Sequence, residues 1–142
     1  MSHRLNHVVL IDDNETTNFL NRRLLDKLQV TQQVSVFTNA AQAFQTVWGE
    51  GRAAEAPPEL VFVDLHMPQM DGVEFLALFH SLPAAVRART RMAVLTTSLL
   101  PTDRDRVAVF TGIEYLVKPL SREKLEKLIG RFFPHVQVAP VG

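Results

Sequence analysis

Cysteine is absent from the 142 residues, which excludes disulfides, thiolate metal sites and a cysteine nucleophile. An excess of either charge is also absent, because 15 Lys and Arg balance 15 Asp and Glu. Nucleic-acid and anionic-membrane binders usually carry a basic excess, so we expect neither partner. No apolar run approaches the roughly 18 residues of a membrane helix, and the first residues lack the apolar stretch of a signal peptide. These features predict a cytoplasmic protein.

The composition is that of a folded chain, since 46% of the residues are hydrophobic. A domain usually takes roughly 100–200 residues, so the length predicts one domain. We assign it to residues 1–133 and expect little room for a separate effector domain. Residues 134–142 have no clear element, and this short C-terminal tail is a candidate for disorder.

Five short apolar runs alternate with segments of helical spacing. Runs this short and rich in β-branched residues are typical of strands buried in a parallel sheet. They cover residues 7–11, 33–37, 60–63, 92–96 and 113–117. The helical segments follow Asn14, Asn39, Asp71, Leu100 and Ser121. This alternation predicts an α/β fold with helices on both faces of the sheet, and a longer loop over residues 49–59.

Polar side chains follow several of the predicted strands. Asp12 and Asp13 follow the first strand, Asp64 the third and Lys118 the fifth, while Thr96 ends the fourth. Each alone is more typical of an ordinary loop or capping residue. Together they fall at the edge where parallel sheets bind ligands. Clustered carboxylates favour a hard cation such as Mg²⁺, and a lysine there can reach a phosphate.

Four motifs carry a family resemblance. They are LIDDN at residues 10–14, VDLHMPQMDG at 63–72, VLTTS at 94–98 and YLVKPL at 115–120. In this order and spacing, the chain resembles the receiver domain of bacterial two-component response regulators, over about residues 5–133. The resemblance implies a flavodoxin-like, doubly wound sheet of five parallel strands, in the order 2-1-3-4-5, with five helices.

The resemblance also implies a phosphorylation site. Asp64 would be the phosphoacceptor, since a carboxylate can act as a nucleophile toward phosphorus. Asp13 and Asp64 would bind Mg²⁺ directly, Asp12 would act through water, and the main-chain carbonyl of His66 would complete the ligands. Lys118 would pair with the phosphoryl oxygens, and its peptide bond to Pro119 would be cis.

The resemblance implies a switch as well. Thr96 would donate its hydroxyl to the phosphoryl group, and Tyr115 would rotate inward behind it. This change would repack the face of the fourth helix, fifth strand and fifth helix, by a shift between two existing packings. The side chains of His66, Thr97 and Ser98 flank the site and would modulate it, although a solvated loop histidine without a role is the commoner case.

The implied function is that of a stand-alone receiver, a signalling module rather than an enzyme, apart from self-phosphorylation and autodephosphorylation. Its phosphodonor would be a phosphohistidine on a sensor histidine kinase or a histidine phosphotransfer protein, docking near residues 14–25. There, either one of Phe19 and Leu20 is exposed for docking, or both flank a broad core face. The output would be a downstream protein, with the receiver a monomer or weak dimer.

Two other functions remain open on the residues alone. One is a phosphorelay intermediate that passes the phosphoryl group onward to a histidine. The other is a flavodoxin-like enzyme or flavin protein on the same sheet. A flavodoxin needs a phosphate loop of Ser, Thr and Gly after the first strand, and residues 12–15, three of which are acidic, have the wrong charge for it.

Overall fold

The computed structural model describes residues 4–49 and 56–139, and every strand and helix expected from the sequence is present there. The strands are β1 (Leu5–Ile11), β2 (Thr31–Phe37), β3 (Leu60–Val63), β4 (Arg91–Thr96) and β5 (Ile113–Val117). The helices are α1 (Glu15–Leu28), α2 (Ala40–Trp48), α3 (Gly72–His80), α4 (Ala84–Arg87), α5 (Pro101–Ala108) and α6 (Arg122–Phe132). Residues 50–55 of the expected long loop lie outside the described part of the chain.

All five strands are parallel and lie in the order β2-β1-β3-β4-β5, which confirms the expected flavodoxin-like sheet. The four residues of β3 are all buried, because this strand lies at the centre and is covered on both faces. The edge strand β2 has a mixed burial pattern, as an outer position predicts. The strand order reverses beside β1, so the adjacent carboxyl ends of β1 and β3 open into a crevice.

Each face of the sheet carries its own hydrophobic core. On one face, α1 and α6 contribute Leu25, Leu28 and Leu125, which pack on Leu10 and Phe62 of the central strands. On the other face, α2, α3 and α5 pack on the strands; their contributions are Ala43, Phe75, Leu76 and Val107. The two layers of helices clamp the strands, and this fixes the positions at which their carboxyl ends emerge.

Two expectations about the helices were wrong. The described residues contain six helices rather than five, because α4 is a single turn after Pro83 and is too short to leave a periodic pattern. In α1, Phe19 and Leu20 are 62% and 55% exposed, so neither belongs to the core face. Asn18 and Asn21 are buried there instead, and the amide of Asn18 donates to the main-chain carbonyl of Asp12.

The described part of the C-terminal tail packs on the core, which differs from the disorder considered above. Val136 is 7% exposed and belongs to the core cluster beneath α1 and α6, with Val138 beside it. The main-chain N–H of Ala139 donates to the carbonyl of Leu28 at 2.9 Å. Isolated apolar residues in a segment without periodicity give no signal in the sequence. In the folded chain they pack against the apolar edge of the core. Residues 140–142 lie outside the described part.

The helices of the described residues are short or polar. None combines the length and the apolar character needed to cross a bilayer.

Candidate functional site

Three carboxylates meet at the carboxyl ends of β1 and β3. The ladder continues past both strands, because Asp12 N–H donates to Phe37 and Asp64 N–H donates to Ile11, at 3.1 and 3.0 Å. One carboxylate oxygen from each of Asp12, Asp13 and Asp64 lies within 4.8 Å of the others. The amide of Asn18 supports the first loop by donating to the carbonyl of Asp12 at 2.8 Å. The sequence expectation that the three acids share one edge is therefore met by their geometry.

Lys118 supplies a positive charge at the same edge. It follows β5, and its main-chain N–H donates to the carbonyl of Thr96 at 2.8 Å. Its Nζ lies 2.5 Å from Oδ2 of Asp12 and 3.3 Å from Oδ2 of Asp64, with 14% of the side chain exposed. The Lys118–Pro119 peptide is cis. Three carboxylates and one ammonium leave a local charge of about minus two at neutral pH.

Burial and charge compete at this cluster. Burial raises the pKa of Asp64, the nearby charge of Asp12 raises it further, and the ammonium of Lys118 opposes both without restoring the ordinary value. Burial alone lowers the pKa of Lys118, but its hydrogen bond to Asp12 and the charges of both acids outweigh this and raise it. Lys118 therefore remains an ammonium ion at neutral pH, while burial opposes the ionisation of the Asp64 carboxyl group.

The donor set fits a hard divalent cation. All three acids offer oxygen, the ligand type that Mg²⁺ prefers, and a dication matches the local charge. Asp13 is exposed while Asp12 and Asp64 are buried, so one side of the cluster is open to water ligands. His66 lies on the loop after β3 and turns its imidazole toward Asp103, at 2.8 Å. The ring of His66 is therefore engaged by Asp103.

Two hydrogen bonds orient the remaining groups at this edge. The main-chain N–H of Leu65 donates to Oδ1 of Asp64 at 2.8 Å, which fixes the carboxylate plane. Thr96 is fully buried at the end of β4, and its hydroxyl oxygen accepts from the N–H of Ser98 at 3.2 Å. Thr97 is exposed between them, so its side chain does not fill the site.

Tyr115 is hydrogen-bonded to the loop that follows Thr96. Its hydroxyl donates to the carbonyl of Ser98 at 3.2 Å, and the ring is half-buried in β5. The guanidinium of Arg104 lies 4.5 Å from the centre of the ring, at cation–π distance. Tyr115 thus links the β4–α5 loop to the face formed by α5, β5 and α6.

Asp103 is a buried acid that the sequence analysis missed. It lies in the first turn of α5, is 5% exposed, and contacts both His66 and Ser98. Hydrogen bonds from Ser98 and then His66 hold its pKa below the ordinary value, so it is ionised at neutral pH. An acid in the first turn of a helix is common for electrostatic reasons alone, and no sequence signal distinguishes this one.

Gly72 allows the chain to fold back beneath the phosphoacceptor candidate. Its N–H donates to the carbonyl of Leu65 at 2.8 Å. A Cβ atom at this position would lie 2.4 Å from the carbonyl oxygen of Asp64 and 2.8 Å from Cα of Leu65. Asp71 caps the helix that begins here, in a reciprocal capping box with Glu74. The loop from Asp64 to α3 is therefore closely packed main chain.

Comparison with known proteins relates the chain to one family. The family model of the response regulator receiver domain matches residues 8–130. The chain is 28% identical over 127 residues to the signal transduction histidine-protein kinase BarA of Escherichia coli, covering 89% of this chain and 13% of BarA. It is 29% identical over 132 residues to the two-component response regulator ORR41 of Oryza sativa subsp. japonica, covering 93% and 98% of the two chains.

Solved structures agree with these relatives. The response regulator receiver protein of Dyadobacter fermentans matches with a TM-score of 0.76 and 30% identity, covering 89% of this chain and 97% of that one. The lengths of the sequence relatives differ widely, since the chain spans 13% of the histidine kinase BarA and nearly all of ORR41. The similarity therefore concerns a receiver-sized unit, which occurs in the larger kinase as well as in the smaller regulator.

Proposed function

The chain belongs to the response regulator receiver domain family, and from this premise we propose that Asp64 accepts a phosphoryl group from a phosphohistidine. Receiver domains are signalling modules rather than classical enzymes. The donor would be a sensor histidine kinase or a histidine phosphotransfer protein. The observation that carries the proposal is the placement of Asp64 beside two further acids and within 3.3 Å of the Lys118 ammonium.

The transfer is a displacement at phosphorus. A carboxylate oxygen of Asp64 attacks the phosphorus atom, the phosphorus–nitrogen bond breaks, and the departing imidazole nitrogen takes up a proton. Mg²⁺ held by Asp12, Asp13, Asp64 and the His66 carbonyl would supply positive charge that offsets repulsion between the carboxylate and the phosphoryl oxygens. The Leu65 N–H, at 2.8 Å from Oδ1, keeps the carboxylate of Asp64 oriented before the donor arrives.

Lys118 and Thr96 would bind the product. Before transfer, the ammonium group of Lys118 contacts the carboxylates of both Asp12 and Asp64. After transfer, negative charge has moved outward to the phosphoryl oxygens, and the flexible lysine stem can follow it. Thr96 lies on the adjacent strand, and its hydroxyl can donate to a phosphoryl oxygen while it still accepts from Ser98. Both contacts form only when the phosphoryl group is present, so they favour the packing in which Lys118 and Thr96 lie closer to that group.

The output would be carried by the face of α5, β5 and α6. These elements are the fourth helix, fifth strand and fifth helix of the sequence analysis, renumbered because of the additional helix α4. A movement of Thr96 toward the phosphoryl group shifts the turn that contains Ser98. Tyr115 is bonded to the carbonyl of Ser98 and contacts Arg104 on α5, so this face experiences the shift. We infer that a partner protein reads the face, with phosphorylation changing the populations of two packings. The flavin alternative loses support, because buried acids occupy the edge where a flavin phosphate would bind.

The test uses a small donor with a phosphorus–nitrogen bond. Phosphoramidate with Mg²⁺ is expected to add one phosphoryl group to the chain, detected by mass spectrometry and removed by hydroxylamine, which cleaves acyl phosphates. Asp64→Asn is expected to lose the modification, and chelation of Mg²⁺ is expected to suppress it. Asp26→Asn, on the exposed side of α1, is the matched control and is expected to label normally. Equal labelling of Asp64→Asn, or none in the unaltered chain, would contradict the proposal.

A further inference from the structure

Asp103 joins two loops through one carboxylate oxygen. Its Oδ2 accepts from the hydroxyl of Ser98 at 2.5 Å and lies 2.8 Å from Nε2 of His66. An ionised carboxylate can only accept hydrogen bonds, so Nε2 of His66 must carry its hydrogen and donate. The other oxygen, Oδ1, lies 3.5 Å from the guanidinium of Arg106. The buried carboxylate is therefore surrounded by donors.

The two donors occupy matching places around the phosphorylation site. His66 lies two residues after Asp64, and Ser98 lies two residues after Thr96. The hydroxyl of Ser98 also accepts from the N–H of Leu100 at 3.2 Å, so this side chain is held from both sides. Because β3 and β4 are adjacent parallel strands, the loops that follow them leave the sheet side by side, at the edge that carries Asp64. Asp103 bridges these two loops.

We propose that Asp103 is a positioning residue that closes the gap between these two loops and thereby limits the access of water to phosphorylated Asp64. The inference rests on the proposed function and adds a control on the lifetime of the phosphoryl group. In hydrolysis, a water oxygen attacks phosphorus, the bond to the Asp64 oxygen breaks, and inorganic phosphate leaves. With Asp103 in place, the imidazole of His66 and the hydroxyl of Ser98 are held together across the path to that phosphorus. Asp103 touches neither reactant and acts through these two side chains.

The first test needs neither metal nor phosphoryl group. In the unmodified chain, nitrogen NMR of the imidazoles is expected to give His66 as the Nε2–H tautomer. Asp103→Asn weakens the acceptor and is expected to abolish this signature. Asp105→Asn, two residues along the same helix and exposed, is the matched control and is expected to preserve it. An unchanged His66 signal in Asp103→Asn would overturn the inference.

The second test measures the lifetime of the phosphorylated chain after removal of the donor. Asp103→Asn is expected to shorten it about fivefold, the ratio that corresponds to the loss of one net hydrogen bond. Ser98→Ala is expected to shorten it to a similar extent, and Ser98→Thr, which keeps the hydroxyl, is expected to restore it. In the double variant of Asp103→Asn and Ser98→Ala the effects are expected not to multiply, because both remove the same bridge.

The variants also separate the two proposals. If the unaltered chain takes up no phosphoryl group, the proposed function fails, while the imidazole signals still decide whether Asp103 holds His66. If labelling succeeds but Asp103→Asn and Asp105→Asn have equal lifetimes, the proposed function stands and the positioning role of Asp103 fails. Multiplicative effects of Asp103→Asn and Ser98→Ala would also contradict a shared bridge. Ser98 is half-buried at a loop, so its variants keep the test usable if Asp103→Asn folds poorly.

Discussion

Lys118 balances two buried acids, and its removal leaves them facing each other. The side chains of Lys118, Asp12 and Asp64 are 14%, 7% and 11% exposed, so water screens their charges weakly. We expect Lys118→Met to lower the free energy of unfolding by about 2–3 kcal/mol without divalent cations, because the carboxylates lose their partner. Urea denaturation measures this, and added Mg²⁺ is expected to narrow the difference.

The matched control is a lysine on the surface of α6. Lys127 is 78% exposed and lies 3.5 Å from Glu123 one turn away. Exposed pairs contribute little, so Lys127→Met is expected to change the free energy of unfolding by less than about 0.5 kcal/mol. If Lys118→Met were no less stable than Lys127→Met, the stability of the fold would not depend on the contact between Lys118 and the two carboxylates.

His7 predicts a pH dependence that is independent of the acidic cluster. It lies on β1, with Nε2 2.7 Å from the hydroxyl of Ser35 on β2, and burial lowers its pKa below the ordinary 6.5. In the unfolded chain this histidine binds a proton more readily than it does in the folded chain. Its contribution to the free energy of unfolding is therefore complete above the ordinary pKa and is lost as the pH falls through the lowered pKa. Between about pH 7.5 and 5.5, His7→Gln is expected to lose less stability than the unaltered chain.

Thermal denaturation at several pH values measures the effect of His7→Gln. His135→Gln serves as the control, because His135 is exposed and its substitution is expected to leave the pH dependence unchanged. A parallel loss of stability in His7→Gln and the unaltered chain would show that His7 does not titrate with folding.

At the scale of the element, the loop between β3 and α3 tolerates no side chain at Gly72. An added Cβ would approach main-chain atoms of Asp64 and Leu65, which cannot rotate away. We expect Gly72→Ala to destabilise the fold by about 1–3 kcal/mol, the usual range for overpacking. In α6, a Cβ at Gly130 meets no atom within 4 Å, so Gly130→Ala is expected to stabilise by about 0.5–1 kcal/mol. Denaturant midpoints of the two variants should therefore move in opposite directions.

The strands and most helices could be predicted from the sequence because their apolar residues follow strand or helix spacing. β3 and β5 have the predicted bounds, since both mainly apolar runs end at a charged residue, Asp64 and Lys118. Asn14 and Ser121 also precede their helices as expected, and each caps its helix by accepting from the main-chain N–H of the third helical residue. Local chemistry determined these elements, and tertiary contacts did not change them.

The missed features depend on contacts between distant segments. The core face of α1 includes Asn18, whose amide donates to the carbonyl of Asp12, and hydrophobic spacing gives no sign of such a contact. The tail residue Val136 finds its partner only when the core of α1 and α6 has formed. At the site, the motifs predicted the cluster around Asp64, whereas the bridge at Asp103 requires two loops to meet. Sequence patterns indicate which residues lie at the edge, and folding decides which of them touch.

On the scale of the whole molecule, a net charge of zero conceals an acidic centre. Asp12 and Asp13 are adjacent in the sequence, whereas Asp64 comes from a distant segment, and only folding brings one oxygen of each within 4.8 Å of the others. Folding therefore concentrates charge that the unfolded chain keeps apart. A cation that binds the three acids together recognises the folded chain alone, and its binding must be linked to global stability.

This linkage predicts that Mg²⁺ raises the melting temperature in proportion to the logarithm of its concentration. A hundredfold excess over the dissociation constant corresponds to about 2.7 kcal/mol. Asp13→Asn is expected to reduce the gain sharply, because Asp13 is exposed and its loss removes a ligand without disturbing the core. Asp26→Asn, also exposed but on the far side of α1, is expected to keep the full gain. Equal gains in both variants would mean that Mg²⁺ stabilises the chain elsewhere, since general screening of surface charge does not distinguish these two acids.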